Sequence, residues 1–317
     1  MKFIKPKFWD EKKLSLFSIV LLPISIIIKI IVFLKAHLIE KKYFDIPIIC
    51  VGNIYLGGTG KTPLSIEISK ILKKNKKKTA IIRKFHSDQI DEIDLIKNTS
   101  KNLIVEKSRA HSLNEASLKG FDTMILDDGL QDTSIKTDLN IVCFNGAIGD
   151  GNGLTIPSGP LRENLSRLVN CEMVAININN KDKKNIKFEK KIKKINKNLD
   201  IFYTKYFFHN PSIKKFKNKK IFAFAGIGNP NRFFNLLKSY NLKIQKEKPF
   251  PDHYKYSIKE LKKMINYAKK NKLELITTEK DFLRIKKFGL KTIKFIPTVF
   301  KIEDEKKFIK NLKKYIQ

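Results

Sequence analysis

"VGNIYLGGTGKTPLS", residues 51–65, decides how this chain is read. It follows the apolar run "IPIIC" and leads into a stretch with helical periodicity, the strand–loop–helix setting of a phosphate-binding loop. The usual pattern is G-x-x-x-x-G-K-[ST]. Its glycines let backbone N–H groups close around phosphate oxygens, the Lys neutralises charge, and the Ser/Thr hydroxyl holds Mg²⁺. Gly60, Lys61 and Thr62 fit, but Tyr55 stands at the first Gly position, and Gly57 and Gly58 supply the backbone freedom instead. Tyr55, Leu56, Gly57, Gly58, Thr59, Gly60, Lys61 and Thr62 are therefore expected to cradle a nucleotide's phosphates. A purely structural glycine turn would leave Lys61 and Thr62 without a purpose.

Outward from the loop, "KTAIIRKF", "FDTMILDDGLQ", "DLNIVCFN" and "CEMVAININ" read as strands, and residues 63–73 as the helix after the loop. This alternation predicts an α/β fold, a P-loop NTPase-like, mainly parallel sheet with helices on both faces and ligands at the carboxyl ends of its strands. Residues 179–200 are charge-dense and read as a solvated connection or an exposed helix. "KIFAFAGIGNPNRFFNLL" restarts a strand, glycine turn and helix, and "LELITTEKDFLRI" supplies a further strand. The expected organisation is an N-terminal membrane-associated helix (1–40), a P-loop domain (41–209) and a smaller C-terminal α/β domain (210–317).

The N-terminal assignment rests on Lys2, Lys5, Lys7, Lys12 and Lys13, followed by the apolar residues 14–40. No small-residue cleavage site follows, so a removed signal peptide is not expected. Pro23 and Lys29 interrupt the stretch, and crossing would carry the leading lysines away from the cytoplasm. A helix lying in, or partly entering, the inner leaflet is the expectation, with a full span and a core helix as alternatives.

The formal charge of +34 would suggest nucleic acid. Only six of the 65 basic residues are Arg, however, and the abundance of Lys, Ile and Asn is what an AT-rich genome writes onto neutral surfaces. The charge is therefore discounted as a nucleic-acid signal and kept as an attraction to anionic lipid. Cys50, Cys143 and Cys171 are odd in number, far apart and set in apolar surroundings, so they read as buried thiols.

A phosphate loop needs a partner acid on a neighbouring strand, and "MILDDGLQ" offers Asp127 and Asp128. One is expected to reach the metal while the other positions a neighbour. "GDGNGLTIPSGPLRENLSRL", residues 149–168, ends in Arg162, suited to charge stabilisation, and Glu163, suited to a further Mg²⁺ contact.

In ordered succession, "VGNIYLGGTGKTP", "LDDGLQ", "GNGLTIPSGPLRENLSRL", "FAFAGIGNPNRFF", "FPDHYKY" and "TTEKD" resemble the tetraacyldisaccharide 4'-kinases of lipid A biosynthesis. The resemblance implies transfer of the ATP γ-phosphate to the 4'-hydroxyl of an acylated glucosamine disaccharide 1-phosphate, with ATP and Mg²⁺. It places the chain at the cytoplasmic face of the inner membrane, peripheral or monotopic, with no nucleic-acid or obligate protein partner. To Lys61, Asp128 and Arg162, expected to be catalytic from their own motifs, the resemblance adds an Asp and a His. The His falls on His253, and the Asp on Asp91 in "IDEIDLI". Asp88, in the shortened segment "IRKFHSDQ", is the alternative base. From another class, the alternative is a membrane-associated P-loop ATPase or GTPase acting as a switch or partner-binding module. "TTEKD" is the nearest approach to the guanine motif N-K-x-D, and it lacks the Asn.

Overall fold

The computed structural model describes residues 5–11, 14–178 and 185–316, with His37, Asp88 and Asn210 described in backbone only. Lys2, Lys12, Lys13 and the start of the charge-dense stretch lie outside the described residues.

Among the described residues, twelve strands form two sheets. They are β1 (Ile48–Gly52), β2 (Thr79–Lys84), β3 (Leu103–Glu106), β4 (Thr123–Asp127), β5 (Leu139–Asn145) and β6 (Met173–Ile178), followed by β7 (Asp200–Phe208), β8 (Lys220–Ala225), β9 (Lys243–Pro249), β10 (Glu274–Thr277), β11 (Lys294–Phe295) and β12 (Thr298–Ile302). The larger sheet has the order β12-β7-β6-β5-β1-β4-β2-β3, and the smaller β11-β10-β8-β9. Every pairing is parallel except that of β12 with β7.

β1 lies between β5 and β4 with all five residues buried, as a strand covered on both faces must be. Its residues alternate between two cores: Ile48 and Cys50 join Leu126, Val142 and Phe144 on one face, while Ile49 and Val51 join Leu64, Ile68 and Ile141 on the other. The helix Lys61–Lys74 supplies Leu64, Ile68, Ile71 and Leu72 to that second core, a spacing that keeps one stripe against the sheet. All three cysteines are buried and free.

The segment expected as a separate unit at 210–317 divides between the sheets. β12 returns to pair antiparallel with β7, and Phe300, Ile302, Phe308 and Leu312 enter the larger sheet's core. The return covers an edge that β7 would otherwise present unpaired. The described part of the charge-dense stretch takes the helical alternative: the helix Ile186–Ile195 buries Phe188 and Ile192, and β7 begins at Asp200.

Ahead of the sheet, the helices Leu16–Val20 and Leu22–Leu38 bury, among their described side chains, only Ser18 and Ser25, and expose Phe17, Ile27, Ile31 and Phe33 among many apolar side chains. Ser25 Oγ donates to the carbonyl of Thr155 at 3.0 Å, and Trp9, fully buried, donates from Nε1 to the carbonyl of Pro157 at 3.0 Å. The 17-residue helix is about 26 Å long, a little short of a hydrocarbon core. Among the described residues, no helix is long and apolar enough to cross a membrane.

Candidate active site

The loop between β1 and its helix is built around Asn53, whose Nδ2 donates to the carbonyls of Tyr55 at 2.6 Å and Gly57 at 3.2 Å and to Thr59 Oγ1 at 3.1 Å. Gly57 (φ +140°) and Gly60 (φ +98°) take the backbone conformations that side chains resist. Tyr55, at the Gly position, is buried against the larger sheet's core, and its hydroxyl is bonded to Asp10 and Lys5 of the N-terminal segment. Residues 160–162 brace the same loop: Leu56 N donates to Pro160 O at 2.8 Å and Arg162 N to Ile54 O at 2.7 Å.

Asp127, at the end of β4, is fully buried. It accepts from Thr62 Oγ1 and Ser65 Oγ, each at 3.0 Å, and pairs with Arg83 on β2. Arg83 also pairs with Glu92, and Glu92 with Lys280, so a chain of alternating charge runs from the loop helix to the smaller sheet's side of the cleft. Glu92 lies 3.4 Å from Thr62 Oγ1. Burial works against its ionisation, but Lys280, Arg83 and Lys61 together hold its carboxyl well below the usual range.

Asp128 sits in the left-handed region (φ +59°), which turns its carboxylate toward Lys61 Nζ at 3.6 Å and Arg162 Nη1 at 3.2 Å. Burial pushes its pKa up, yet Lys61, Arg162 and Arg83 bring it below the ordinary value. Glu163 is turned to Gln131 at 3.0 Å and Arg167 at 3.4 Å, away from the contacts that Thr62 and Asp127 make.

Asp91 opens the first turn of the helix Ile90–Thr99 and is buried. Its Oδ1 is 3.1 Å from His253 Nδ1, and its Oδ2 accepts from Arg284 Nη2 at 2.7 Å. His253 also has left-handed backbone (φ +51°). Consecutive residues on a helix point about 100° apart, so Asp91 faces the smaller sheet's loops while Glu92 faces Arg83. Burial raises the Asp91 pKa, but the His253 hydrogen bond, Lys280 and Arg284 outweigh it and hold the carboxyl at about 2. Burial lowers the His253 pKa, and the bond to Asp91 with the charges of Asp252 and Asp91 raises it overall. The imidazole is thus the stronger base of the two. The Asp88 backbone lies in the short turn Ser87–Gln89, and its side chain lies outside the described residues.

A cleft of about 1110 Å³ joins these groups, lined by Tyr55 to Pro63, Glu92, Asp128, Arg162, Arg232, His253 and Lys280. Sequence reasoning missed Glu92, Lys280 and Arg284 as site residues. Their signal was an acid beside Asp91 and two cations within "TTEKDFLRI".

The chain matches the model of the tetraacyldisaccharide-1-P 4'-kinase family over residues 17–317. A tetraacyldisaccharide 4'-kinase of Pelagibacter ubique is 46% identical over 317 residues, covering 98% of each chain. That of Rickettsia typhi is 32% identical over 92% of this chain and 93% of its own. A crystal structure of LpxK from Aquifex aeolicus in complex with ATP superposes with a TM-score of 0.71 at 21% identity, over 95% of this chain and all of that one.

Proposed function

Because this chain belongs to the tetraacyldisaccharide 4'-kinase family, we propose that its cleft moves the ATP γ-phosphate to the 4'-hydroxyl of a tetraacyldisaccharide 1-phosphate, with the Asp91–His253 pair receiving the hydroxyl proton. It is a P-loop kinase of lipid A biosynthesis. The reading as a switch or partner-binding ATPase is not favoured, since family and relatives alike are kinases. One observation carries the site assignment: Asp91 and His253, 162 positions apart, meet at 3.1 Å beside the cleft that Lys61 lines.

Phosphoryl transfer asks for positioning and charge neutralisation more than covalent chemistry. In this proposal the backbone of residues 55–60 and the Lys61 ammonium hold the phosphates, and Arg162 offsets charge that grows during transfer. The Thr62 hydroxyl and the Asp127 carboxylate form a hard oxygen pair at 3.0 Å, the donor chemistry that suits Mg²⁺. Held by these two groups, Mg²⁺ would supply positive charge against the phosphate oxygens. Glu163, expected as a further ligand, would act after leaving Gln131. His253 has the basicity to take the proton, and Asp91 holds the ring. The direct test is incubation with ATP, Mg²⁺ and a tetraacyl disaccharide 1-phosphate, following label into a bisphosphorylated lipid. No labelled lipid product from folded protein would overturn the assignment.

The exposed apolar helices fit a surface where the substrate's acyl chains stay in a bilayer. Deleting residues through Lys35 would release the chain from vesicles, but it would also strip Trp9 and Ser25 from residues 155–158. Ile27→Gln, Ile31→Gln and Leu34→Gln together avoid that, because all three side chains are exposed. Losing about 1.5–3 kcal/mol of burial per side chain should weaken vesicle sedimentation about 100-fold or more. Sedimentation equal to that of the parent chain would show that this face is not the docking surface.

A further inference from the structure

Residues 277–285, "TTEKDFLRI", lie outside the phosphate loop, yet two of their cations reach the helix Ile90–Thr99. Lys280 ends on Glu92, and Arg284 Nη2 donates to Asp91 Oδ2 at 2.7 Å. The other end of the guanidinium is held from behind, with Nη1 donating to Asp281 Oδ1 at 2.9 Å and to the carbonyl of Gly226. Asp281 is fully buried and accepts from Gly226 N at 2.9 Å, Thr278 Oγ1 at 2.7 Å and the Tyr256 hydroxyl at 2.9 Å. Three stretches distant in sequence, "FAFAGIG", "FPDHYKY" and "TTEKD", therefore converge on one carboxylate that braces Arg284. Gly226 is needed there: a Cβ would stand 2.7 Å from the Tyr256 hydroxyl.

A guanidinium is planar, so fixing Nη1 fixes the direction of Nη2. Nη2 also lies 3.4 Å from His253 Nδ1. Arg has no acceptor, so Nδ1 can receive from Arg284 or donate to Asp91, but not both. With Arg284 committed to Oδ2, Oδ1 remains for an Nδ1–H donor, and Nε2 is left without a proton. We propose that Arg284 is a positioning residue of the phosphoryl transfer, fixing the Asp91 carboxylate so that His253 carries its proton on Nδ1 and receives the hydroxyl proton on Nε2. The inference rests on the Asp91–His253 pair being the one that takes that proton. The groups facing Asp91 are His253, Arg284 and Lys280, with Asp252 beside His253 and Asp281 behind Arg284. Without Arg284 the carboxylate loses a cation and protonates at higher pH, and the ring is free to take the other tautomer.

The experiment compares Arg284→Met, Arg284→Lys, Asp91→Asn and the combinations of Asp91→Asn with each, measuring kcat, KM for ATP and the kcat–pH profile of the full chain. Arg284→Met should lower kcat about 10- to 100-fold, as expected when a reactive group is misplaced, and leave KM for ATP unchanged. Its acid limb, set by His253 taking a proton, should move up, because the ring loses the repulsion of a cation 3.4 Å from Nδ1. Arg284→Lys should restore the limb but only part of kcat, because an ammonium supplies the charge without the fork. In the Asp91→Asn background neither Arg284 change should reduce turnover further. A loss in Arg284→Met that merely tracks the folded fraction with an unchanged pH profile overturns the inference, as does a further loss on top of Asp91→Asn. If Arg284→Met does not fold, Arg284→Lys alone decides by its kcat and by the same combination. Near-normal turnover of Asp91→Asn would overturn the pair assignment itself, and with it the role given to Arg284. An impaired Asp91→Asn whose loss simply adds to that of Arg284 overturns the positioning role alone.

Discussion

Lys61→Ala is expected to lower kcat by about 10³-fold or more, the scale seen when a group that meets transition-state charge on a transferring phosphoryl is removed. Lys61 extends from the first residue of the loop helix into the cleft, where its Nζ lies 3.6 Å from Asp128. It contributes nothing to either core of the larger sheet. Asp128 would keep Arg162 at 3.2 Å, so the substitution leaves no buried charge without a partner. The melting transition should therefore stay close to that of the parent chain while single-turnover phosphoryl transfer collapses. Near-normal turnover would mean that the loop is not the nucleotide site.

Asp91→Ala and His253→Ala should each lower kcat about 10²- to 10⁴-fold, the span of general acid–base catalysis, with little change in KM for ATP. Because the two side chains share one hydrogen bond at 3.1 Å, the double variant should be little worse than the weaker single one. Free-energy effects that simply add would show that the pair does not act as a unit. Asp88→Ala should be mild, and a large loss there with a small one at Asp91 would make Asp88 the carboxylate that serves the proton transfer. The pH dependence follows from the shifts. Asp91 is held ionised down to about 2, so activity lost on acidification above that point reflects His253 taking a proton. Since the His253 pKa is raised, that limb should lie above the ordinary histidine value.

Much of the larger sheet was legible because β1, β4, β5 and β6 are buried on both faces and read as unbroken apolar runs between turns. β12 was not legible. It is the edge strand of the larger sheet, its partner β7 lies about a hundred residues earlier, and antiparallel pairing at such a separation leaves no local trace in either segment. β9, "KIQKEKP", was hidden for a different reason: its side chains are half-exposed, so it reads as a polar connection. At the site, the loop, Asp128 and Arg162 were readable from residue type and spacing. Glu92 and Lys280, 188 positions apart, were not, because each looks like an ordinary surface charge until the fold brings them together. The neighbours Asp91 and Glu92 gave no hint that a helix would send one to His253 and Arg284 and the other to Arg83 and Lys280.

The left-handed backbone at His253 has a consequence for anyone engineering this protein. A side chain with a Cβ is held at φ +51°, where glycine would be more comfortable by about 1 kcal/mol or more. The half-buried ring gives up little core packing when removed, and Asp91 would still have Arg284. Screens that reward heat tolerance or yield alone would thus drift toward glycine at 253 and return a sturdier, inert protein. Stabilising this chain without losing it as a catalyst means withholding that position from the library and looking for gains elsewhere.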